Sequence, residues 1–485
     1  MAQKPSIPKG TRDFSPVEMR RRQYILDTIR GVFERYGYLP IETPAMEKLE
    51  TLTGKYGEEG DRLIFKVLKR GISLQEAVFY PVVFNWNKEA CTKWAGGLDD
   101  EPNPIERSVN QHIDVPGWMK TAEASLADQA LRYDLTVPFA RFVVQHQHAL
   151  TFPFKRYQMQ PVWRADRPQK GRYREFLQCD ADVIGSTSLL NEVELVQLFD
   201  DVFTALGLAV VVKLNDRKLL TGIAEVSGQP EKVVDIVTAL DKLDKVGREA
   251  VEQEMRDKGV SEAAVTGIAP LFELHGNWDA QRTRLTEWLG GSEVAQQGLA
   301  DMDFIFQQAG QLKSAQLEFD PTLARGLDYY TGAIFEVKAA EGTLQSSICG
   351  GGRYDDLTGI FGLQGMSGVG ISFGADRIYD VLLETGKFPE DVATGTRLLF
   401  VNFGDREAAH ALPLLRQVRE AGIAAELYPD AAKLKKQFAY ADAKGIPFVA
   451  TMGSEEIAQG IVSVKDLRSG EQRAVRTDEL ISLVQ

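Results

Sequence analysis

Between Lys155 and Gly185, two runs of period-two alternation flank a short basic loop, which commits this stretch to an antiparallel hairpin with one polar face. The first run sets Arg156, Gln158, Gln160, Val162 and Arg164 on one face. The second sets Phe176, Gln178, Asp180, Asp182 and Ile184 together and turns Leu177, Cys179, Ala181 and Val183 toward a core. Carboxylates on a strand are costly unless partnered, so this face is either a solvated surface or the lining of a site. The loop favours a site: Pro168, Gly171 and the basic Arg167, Lys170, Arg172 and Arg174 form an arm able to close over an anion. From Lys155 to Glu175, Lys155, Arg156 and Arg164 add to that charge against only Asp166 and Glu175, in a chain of formal net charge -13.

Two further clusters carry unusual residues. In ARGLDYYTGAIFEV, Arg325 and Gly326 precede Asp328, Tyr329 and Tyr330, and then Ala333, Phe335 and Val337 alternate with Ile334 and Glu336 as a strand would. This reads either as a pocket floor or as a turn whose tyrosines are amphipathic core residues. GGGRYDDL, from Gly350, is followed by GVGISFGADRIYDVL, a small-residue strand running into a helix with Arg377 at its start. Gly368, Gly370 and Gly374 do not have the G-x-G-x-x-G spacing, which excludes a Rossmann nicotinamide site, and no Walker lysine loop occurs. Cys91, Cys179 and Cys349 sit singly, supporting neither a disulfide framework nor a zinc ribbon, and His146 and His148 lack a ligand pattern. The opening MAQKPSIPKG has no apolar h-region and no run approaches the roughly 18 apolar residues of a membrane span, so the expected location is cytoplasmic. The acidic total argues against indiscriminate nucleic-acid binding but permits a local basic track.

Along the chain, Ser15 can cap and Pro16 can open a helix with the apolar stripe Ile25, Ile29, Val32, Phe33 and Tyr36, ended by Gly37 and followed by an extended Tyr38–Pro44. Phe65 to Leu126 is too long for a structureless loop and reads as an insertion with its own packing. From Ala209 to about Phe319 the pattern is mainly helical, with Val233, Val234, Ile236, Val237, Leu240, Leu243 and Val246 on one face. The tail carries strands at Leu398–Phe403, Ile423–Tyr428 and Pro447–Met452 with helical stretches between, a small α/β domain in which Pro413 predicts a kink or a late helix start.

RYDLTVPFAR at Arg132–Arg141, the arginine-loop segment, ARGLDYYTG and GVGISFGADR, together with KGTRDFSP at Lys9–Pro16, resemble histidyl-tRNA synthetase, a class II aminoacyl-tRNA synthetase, over most of the chain. The resemblance implies an α/β (α+β) fold: an antiparallel catalytic sheet flanked by helices, a mainly helical insertion and a C-terminal α/β anticodon-binding domain. The implied boundaries are a first catalytic part over 1–208 with an atypical insertion at about 66–126, the helical insertion over 209–319, a second catalytic part over 320–390 and the tail over 396–485. It implies ATP-dependent formation of histidyl-adenylate and transfer of histidine to tRNA(His) by a homodimer, with Mg²⁺ accompanying the phosphates on protein ligands left unassigned. By motif position, Arg164 would hold the α-phosphate and substrate carboxylate, Arg377 the γ-phosphate, and Arg325 a further charge at the α-phosphate. Phe176 would stack on adenine, Asp166 would lie toward the adenine or ribose, and Arg167, Arg172 and Arg174 would belong to the loop closing on ATP. Asp134, Leu135 and Thr136 of DLT, with Gln178, Asp182, Tyr329, Tyr330, Arg164 and Arg325, would surround the histidine. Lys433, Lys435 and Lys436 would be either a track for tRNA phosphates or a solvated helix face. The alternative is a non-catalytic synthetase-like protein, regulatory or tRNA-sensing, such as the regulatory subunit of ATP phosphoribosyltransferase. Retention of the three arginines, both tyrosines and the tail speaks against it.

Overall fold

The alternation around the basic loop folds into the second and third strands of an eight-stranded sheet. The computed structural model describes residues 4–70, 126–324, 329–355, 357–393 and 395–484. It divides into one compact unit of Met1–Arg12 and Ile25–Gly386 and a second of Asp13–Tyr24 and Lys387–Gln485. Strands of the first unit are β1 (Leu39–Pro40), β2 (Met46–Lys48), β3 (Lys66–Leu68), β4 (Ala127–Leu131), β5 (Phe154–Trp163) and β6 (Glu175–Ile184). They continue with β7 (Val210–Asp216), β8 (Ala315–Phe319), β9 (Ala333–Ala339), β10 (Cys349–Asp355) and β11 (Ser367–Gly374). The large sheet has the order β1-β5-β6-β11-β10-β9-β7-β8, antiparallel except for the parallel edge pairs β1–β5 and β7–β8. A smaller sheet orders β2-β4-β3.

One face of the large sheet is dry. Cys179, Ala181 and Val183 of β6 are fully buried, as their alternation requires, whereas Leu177 is only half-buried. The helix Pro16–Arg35 buries the expected Ile25, Ile29, Val32 and Phe33, and Phe33 meets Tyr157 and Phe373 at ring distances of 5.6 and 5.8 Å. The helix Leu190–Ala205 adds Phe199 and Phe203, 5.3 and 5.8 Å from Phe373. Rings at such separations add to what their buried area contributes. At the start of the first helix the Ser15 hydroxyl accepts from Glu18 N at 3.4 Å while the Glu18 carboxylate accepts from Ser15 N at 2.6 Å, a reciprocal cap.

Three expectations change. Strands β7 and β8, placed inside the helical insertion of 209–319, are members of the large sheet, so the helical body between them runs from Arg217 to Gln308. Within it Ile236, Val237 and Leu240 are buried, but Val234 and Val246 are exposed, because the run breaks after Leu240 and a single stripe cannot continue across the break. In the second unit the helix Asp405–Glu420 opens well before Pro413 and passes through it. That unit also holds β12 (Leu398–Phe400), β13 (Ala425–Leu427), β14 (Phe448–Thr451), β15 (Ile461–Asp466) and β16 (Gln472–Arg476), in the order β13-β12-β14-β15-β16. The final antiparallel pair was not expected. Of the anticipated insertion at 66–126, residues 71–125 lie outside the described residues. Its ends meet: β3 pairs antiparallel with β4, and Lys69 N donates to Leu126 O at 2.9 Å, so the chain leaves and returns at one place.

Arg353 of β10 ties the sheet to the helix Leu190–Ala205 through Glu192, which has no solvent exposure, with Nη2–Oε2 at 2.7 Å and a further bond from Nη1 to Ser367 Oγ at 2.5 Å. Arg353→Met strands a buried carboxylate and is expected to cost about 3–5 kcal/mol of stability, read from the chemical denaturation midpoint.

Candidate active site

The opposite face of the same strands is polar. Register places Arg156 of β5 opposite Asp182 of β6, Gln158 opposite Asp180 and Gln160 opposite Gln178. On the other side β11 sets Gly370, Ser372 and Gly374 opposite Asp182, Asp180 and Gln178. The glycines make the hollow. A Cβ on Gly370 would stand 1.9 Å from Asp182 Oδ1, and one on Gly352 would stand 2.7 Å from the Tyr330 ring. Above this floor lies a cavity of about 450 Å³.

One end of the cavity is rich in acceptors. Asp134 Oδ1 accepts from the Tyr56 hydroxyl at 3.0 Å and from Val137 N at 3.2 Å. Asp182 Oδ1 accepts from the Tyr354 hydroxyl at 2.6 Å, and Gln178 Nε2 donates to Ser372 Oγ at 3.0 Å. Asp134 Oδ2, Gln178 Oε1, Asp180 Oδ1 and Asp182 Oδ2 are buried without an aligned hydrogen bond. All four residues line the cavity. Buried acceptors in that state call for donors, so the complement of this end is a cationic ligand bearing several N–H groups. Burial raises all three carboxyls: Asp180 reaches about 7, pushed further by Asp182 and held back by Arg156 and the Ser372 hydroxyl.

The other end is cationic. The Arg164 guanidinium lies 4.2 Å from the centre of the Tyr133 ring and 5.2 Å from that of Phe176, and its Nε donates to Tyr133 O at 3.1 Å. Arg377, in the first turn of the helix Ala375–Glu384, donates from Nε to Gly171 O at 2.8 Å and from Nη1 to Ser347 O at 2.6 Å. Both arginines line the cavity, as do Thr136, Asp166, Arg172, Tyr329 and Tyr330. Arg172 Nη2 bonds Asp166 Oδ1 at 2.7 Å, which ties down the basic loop.

Two expected residues are not in the lining. Leu135 is fully buried in the core beneath Asp134, and Arg174 braces the loop from behind, donating to Asp166 O at 3.0 Å. Arg325 lies outside the described residues. Several lining residues were missed: Tyr133, Tyr173, Ser372, Tyr354 and Asp376. Asp376 is paired with Arg12 and accepts from Leu177 N at 2.8 Å, while Arg12 lies 3.6 Å from the Tyr173 ring centre. Arg12 and Asp376 sit inside the quoted motifs KGTRDFSP and GVGISFGADR, but nothing in either motif reveals that they pair. His146 and His148 are exposed, and among the described residues no His, Cys, Asp or Glu group is placed to hold a metal by itself.

A family model described as histidyl-tRNA synthetase matches residues 10–75 and 106–378, and one described as an anticodon binding domain matches 399–485. The chain belongs to the histidyl-tRNA synthetase family. The histidine–tRNA ligase of Phocaeicola vulgatus is 52% identical over 485 residues, covering 100% of both chains. That of Christiangramia forsetii is 53% identical over 475 residues and 97% of each. The crystal structure of histidyl-tRNA synthetase from Nostoc sp. PCC 7120 superposes with a TM-score of 0.78 at 30% identity, covering 100% of this chain and 99% of that one. The histidyl-tRNA synthetase family model leaves 76–105 unmatched, inside the stretch anticipated as an insertion. Within this synthetase fold the acceptor-rich end has a direct consequence for pH. Folded Asp180 takes up its proton near 7, where an unfolded carboxyl is still ionised. Stability of the ligand-free chain is therefore expected to rise as pH falls from about 8 toward 5. Thermal melting against pH tests this, with Asp180→Asn expected to flatten part of the slope.

Proposed function

We propose that the chain charges tRNA(His) with histidine in two steps, forming histidyl-adenylate from L-histidine and ATP and then esterifying the terminal ribose of the tRNA. The observation that carries this reading is the polarity of one cavity: guanidinium groups at one end, buried acceptors in need of N–H donors at the other. Histidine offers an ammonium group and imidazole N–H to the acceptors and a carboxylate to the cations. Asp134, Gln178 and Asp182, with Thr136, Tyr329 and Tyr330 around them, would hold it. A site that leaves buried polar groups unpaired with the wrong amino acid discriminates by roughly 10⁴–10⁵ without editing.

In the first step a carboxylate oxygen of histidine forms a bond to the α-phosphorus of ATP as the bond from that phosphorus to the pyrophosphate oxygen breaks. Like charges must be screened and the pentacoordinate phosphorus stabilised. Arg164 would hold the carboxylate and the α-phosphate, Arg377 would take the γ-phosphate, and Arg325 would add charge at the α-phosphate. Guanidinium groups stay ionised and make forked contacts to phosphate oxygens. Phe176 gives the adenine a flat surface, Asp166 lies toward the adenine or ribose, and Arg172 closes the loop over the nucleotide. Mg²⁺, when bound, neutralises charge on the β- and γ-phosphates.

A non-catalytic regulatory role is not favoured. The cavity lining includes Arg164, Arg377, Tyr329 and Tyr330, and the chain carries the tail unit. The regulatory subunit/histidyl-tRNA synthetase structure from Bacillus halodurans, at 19% identity and a TM-score of 0.67, shares the fold alone. The reading extends to a cytoplasmic homodimer, and no helix of the described residues is long and apolar enough to cross a membrane. Lys433, Lys435 and Lys436 of the tail are exposed and would meet tRNA phosphates.

Pyrophosphate exchange with each of the twenty amino acids, followed by charging of total tRNA, tests the proposal: exchange is expected with histidine alone, and exchange with another amino acid overturns it. Arg325→Ala is expected to lower histidine-dependent exchange by about 10²–10³ with the fold intact by circular dichroism. Gln178→Ala is expected to raise the KM for histidine by about 10-fold or more and that for ATP far less.

A further inference from the structure

Among the described residues of the catalytic unit three arginines are buried, and they are not equivalent. Arg353 is saturated by Glu192, Ser367 Oγ and backbone carbonyls. Arg132 donates to Pro161 O, Thr43 O and Gln160 Oε1 at 2.8, 2.7 and 3.1 Å. Arg156 is different. It is 0% exposed, yet Nε, Nη1 and Nη2 are all buried without an aligned hydrogen bond. Its Nη2 stands 2.7 Å from Asp182 Oδ2, a close contact of opposite charges whose N–H directions miss the oxygen. The guanidinium rests 4.3 Å from the centre of the Phe139 ring, on the helix Thr136–His146 that begins two residues after Asp134. Arg156 does not line the cavity; it lies behind the carboxylates that do.

A guanidinium kept only for stability would be bonded as Arg353 and Arg132 are, because each unmatched buried N–H costs free energy. We infer that Arg156 is a positioning residue for the adenylation reaction, holding the Asp182 carboxylate charged and in place at the amino-acid end of the cavity. The inference rests on the reading of that end as the histidine site. Geometry supports it from both sides of Asp182: Tyr354 donates to Oδ1 at 2.6 Å, Arg156 faces Oδ2, and Gly370 leaves no room for a side chain beside the carboxylate. The groups facing the Asp180–Asp182 pair are Arg156 from β5, Asp134 from the segment before Thr136, Tyr354 from β10, Ser372 from β11 and Tyr38 ahead of β1. Arg156 is the cation closest to Asp182 in this set, and it opposes the effect of burial on both carboxyls. Removing it lets both carboxyls protonate at higher pH and turns an anionic cup into a neutral one, which no longer attracts the ammonium group of the substrate.

The test is pyrophosphate exchange by full-length wild type, Arg156→Met and Arg156→Lys between pH 6 and 9, with the KM values for histidine and ATP determined separately. Arg156→Met is expected to raise the histidine KM by about 10- to 100-fold, with the ATP KM changed less than about twofold. The acid limb of kcat/KM for histidine is expected to move to higher pH. Arg156→Lys should recover part of both changes. If Arg156→Met does not fold by circular dichroism, Arg156→Lys carries the test, because the fork is lost while the charge remains, and a smaller shift in the same direction is expected. A histidine KM and pH profile matching wild type in the folded variant overturn the inference, as does an equal rise in both KM values. Wild type that exchanges no pyrophosphate with histidine would instead overturn the functional reading, which keeps the two failures distinguishable.

Discussion

Burying Asp180 and Asp182 two residues apart on a central strand is the constraint around which the catalytic unit is organised. Two like charges out of water are untenable unless neighbouring strands supply compensation. The register does so: β5 brings Arg156 and Gln158 opposite them, β11 brings Gly370 and Ser372, and β10 reaches across with Tyr354. A slip of β6 by one residue against its neighbours would turn the carboxylates to the face now held by Phe33, Phe199, Phe203 and Phe373. The aromatic packing on one side and the polar cup on the other are therefore enforced by the same hydrogen-bond ladder.

Charge within the cavity is segregated, and that segregation gives it a direction. Acceptors lie over the middle of the sheet, whereas Arg164 and Arg377 lie at strand and helix ends joined by the basic loop. A substrate with N–H groups at one pole and a carboxylate at the other can satisfy both only in one orientation, with its carboxylate toward the phosphate-binding end. The loop is itself held in shape by Arg172 and Arg174 on Asp166 and by Arg377 on Gly171 O. Some of the basic charge visible in the sequence thus builds the loop, Lys155 and Lys170 pair with Glu194 and Glu384, and Arg164 faces the cavity.

Much of this was legible in the residues. Period two on both sides of the basic loop identified β5, β6 and their polar face, and the motifs around Arg132, Tyr329 and Gly368 supplied the remaining walls. Other features were not legible, for identifiable reasons. Leu135 falls between two lining residues and was counted with them, although backbone geometry turns it into the core. Arg174 has the parity of Phe176 but precedes β6, and its guanidinium turns to Asp166 O within the loop. The partners Arg12 and Asp376 are separated by most of the catalytic unit's sequence, and no local pattern marks such a pair. Strands β7 and β8 bracket a helical body and read with it, because a strand's membership of a sheet depends on which distant strand it meets.

The sequence by itself determined the family, the alternation of the central hairpin, the glycine-rich strands and the residue types available for phosphate and amine chemistry, since these depend on local periodicity and composition. Only the tertiary structure decided which of the buried arginines is saturated and which faces Asp182, how Gly370 and Gly352 open the floor, and which polar atoms remain unmatched. Hydrogen-bond satisfaction is a property of three-dimensional neighbours, and residues with identical side chains, such as Arg156 and Arg353, acquire opposite roles from the atoms placed around them.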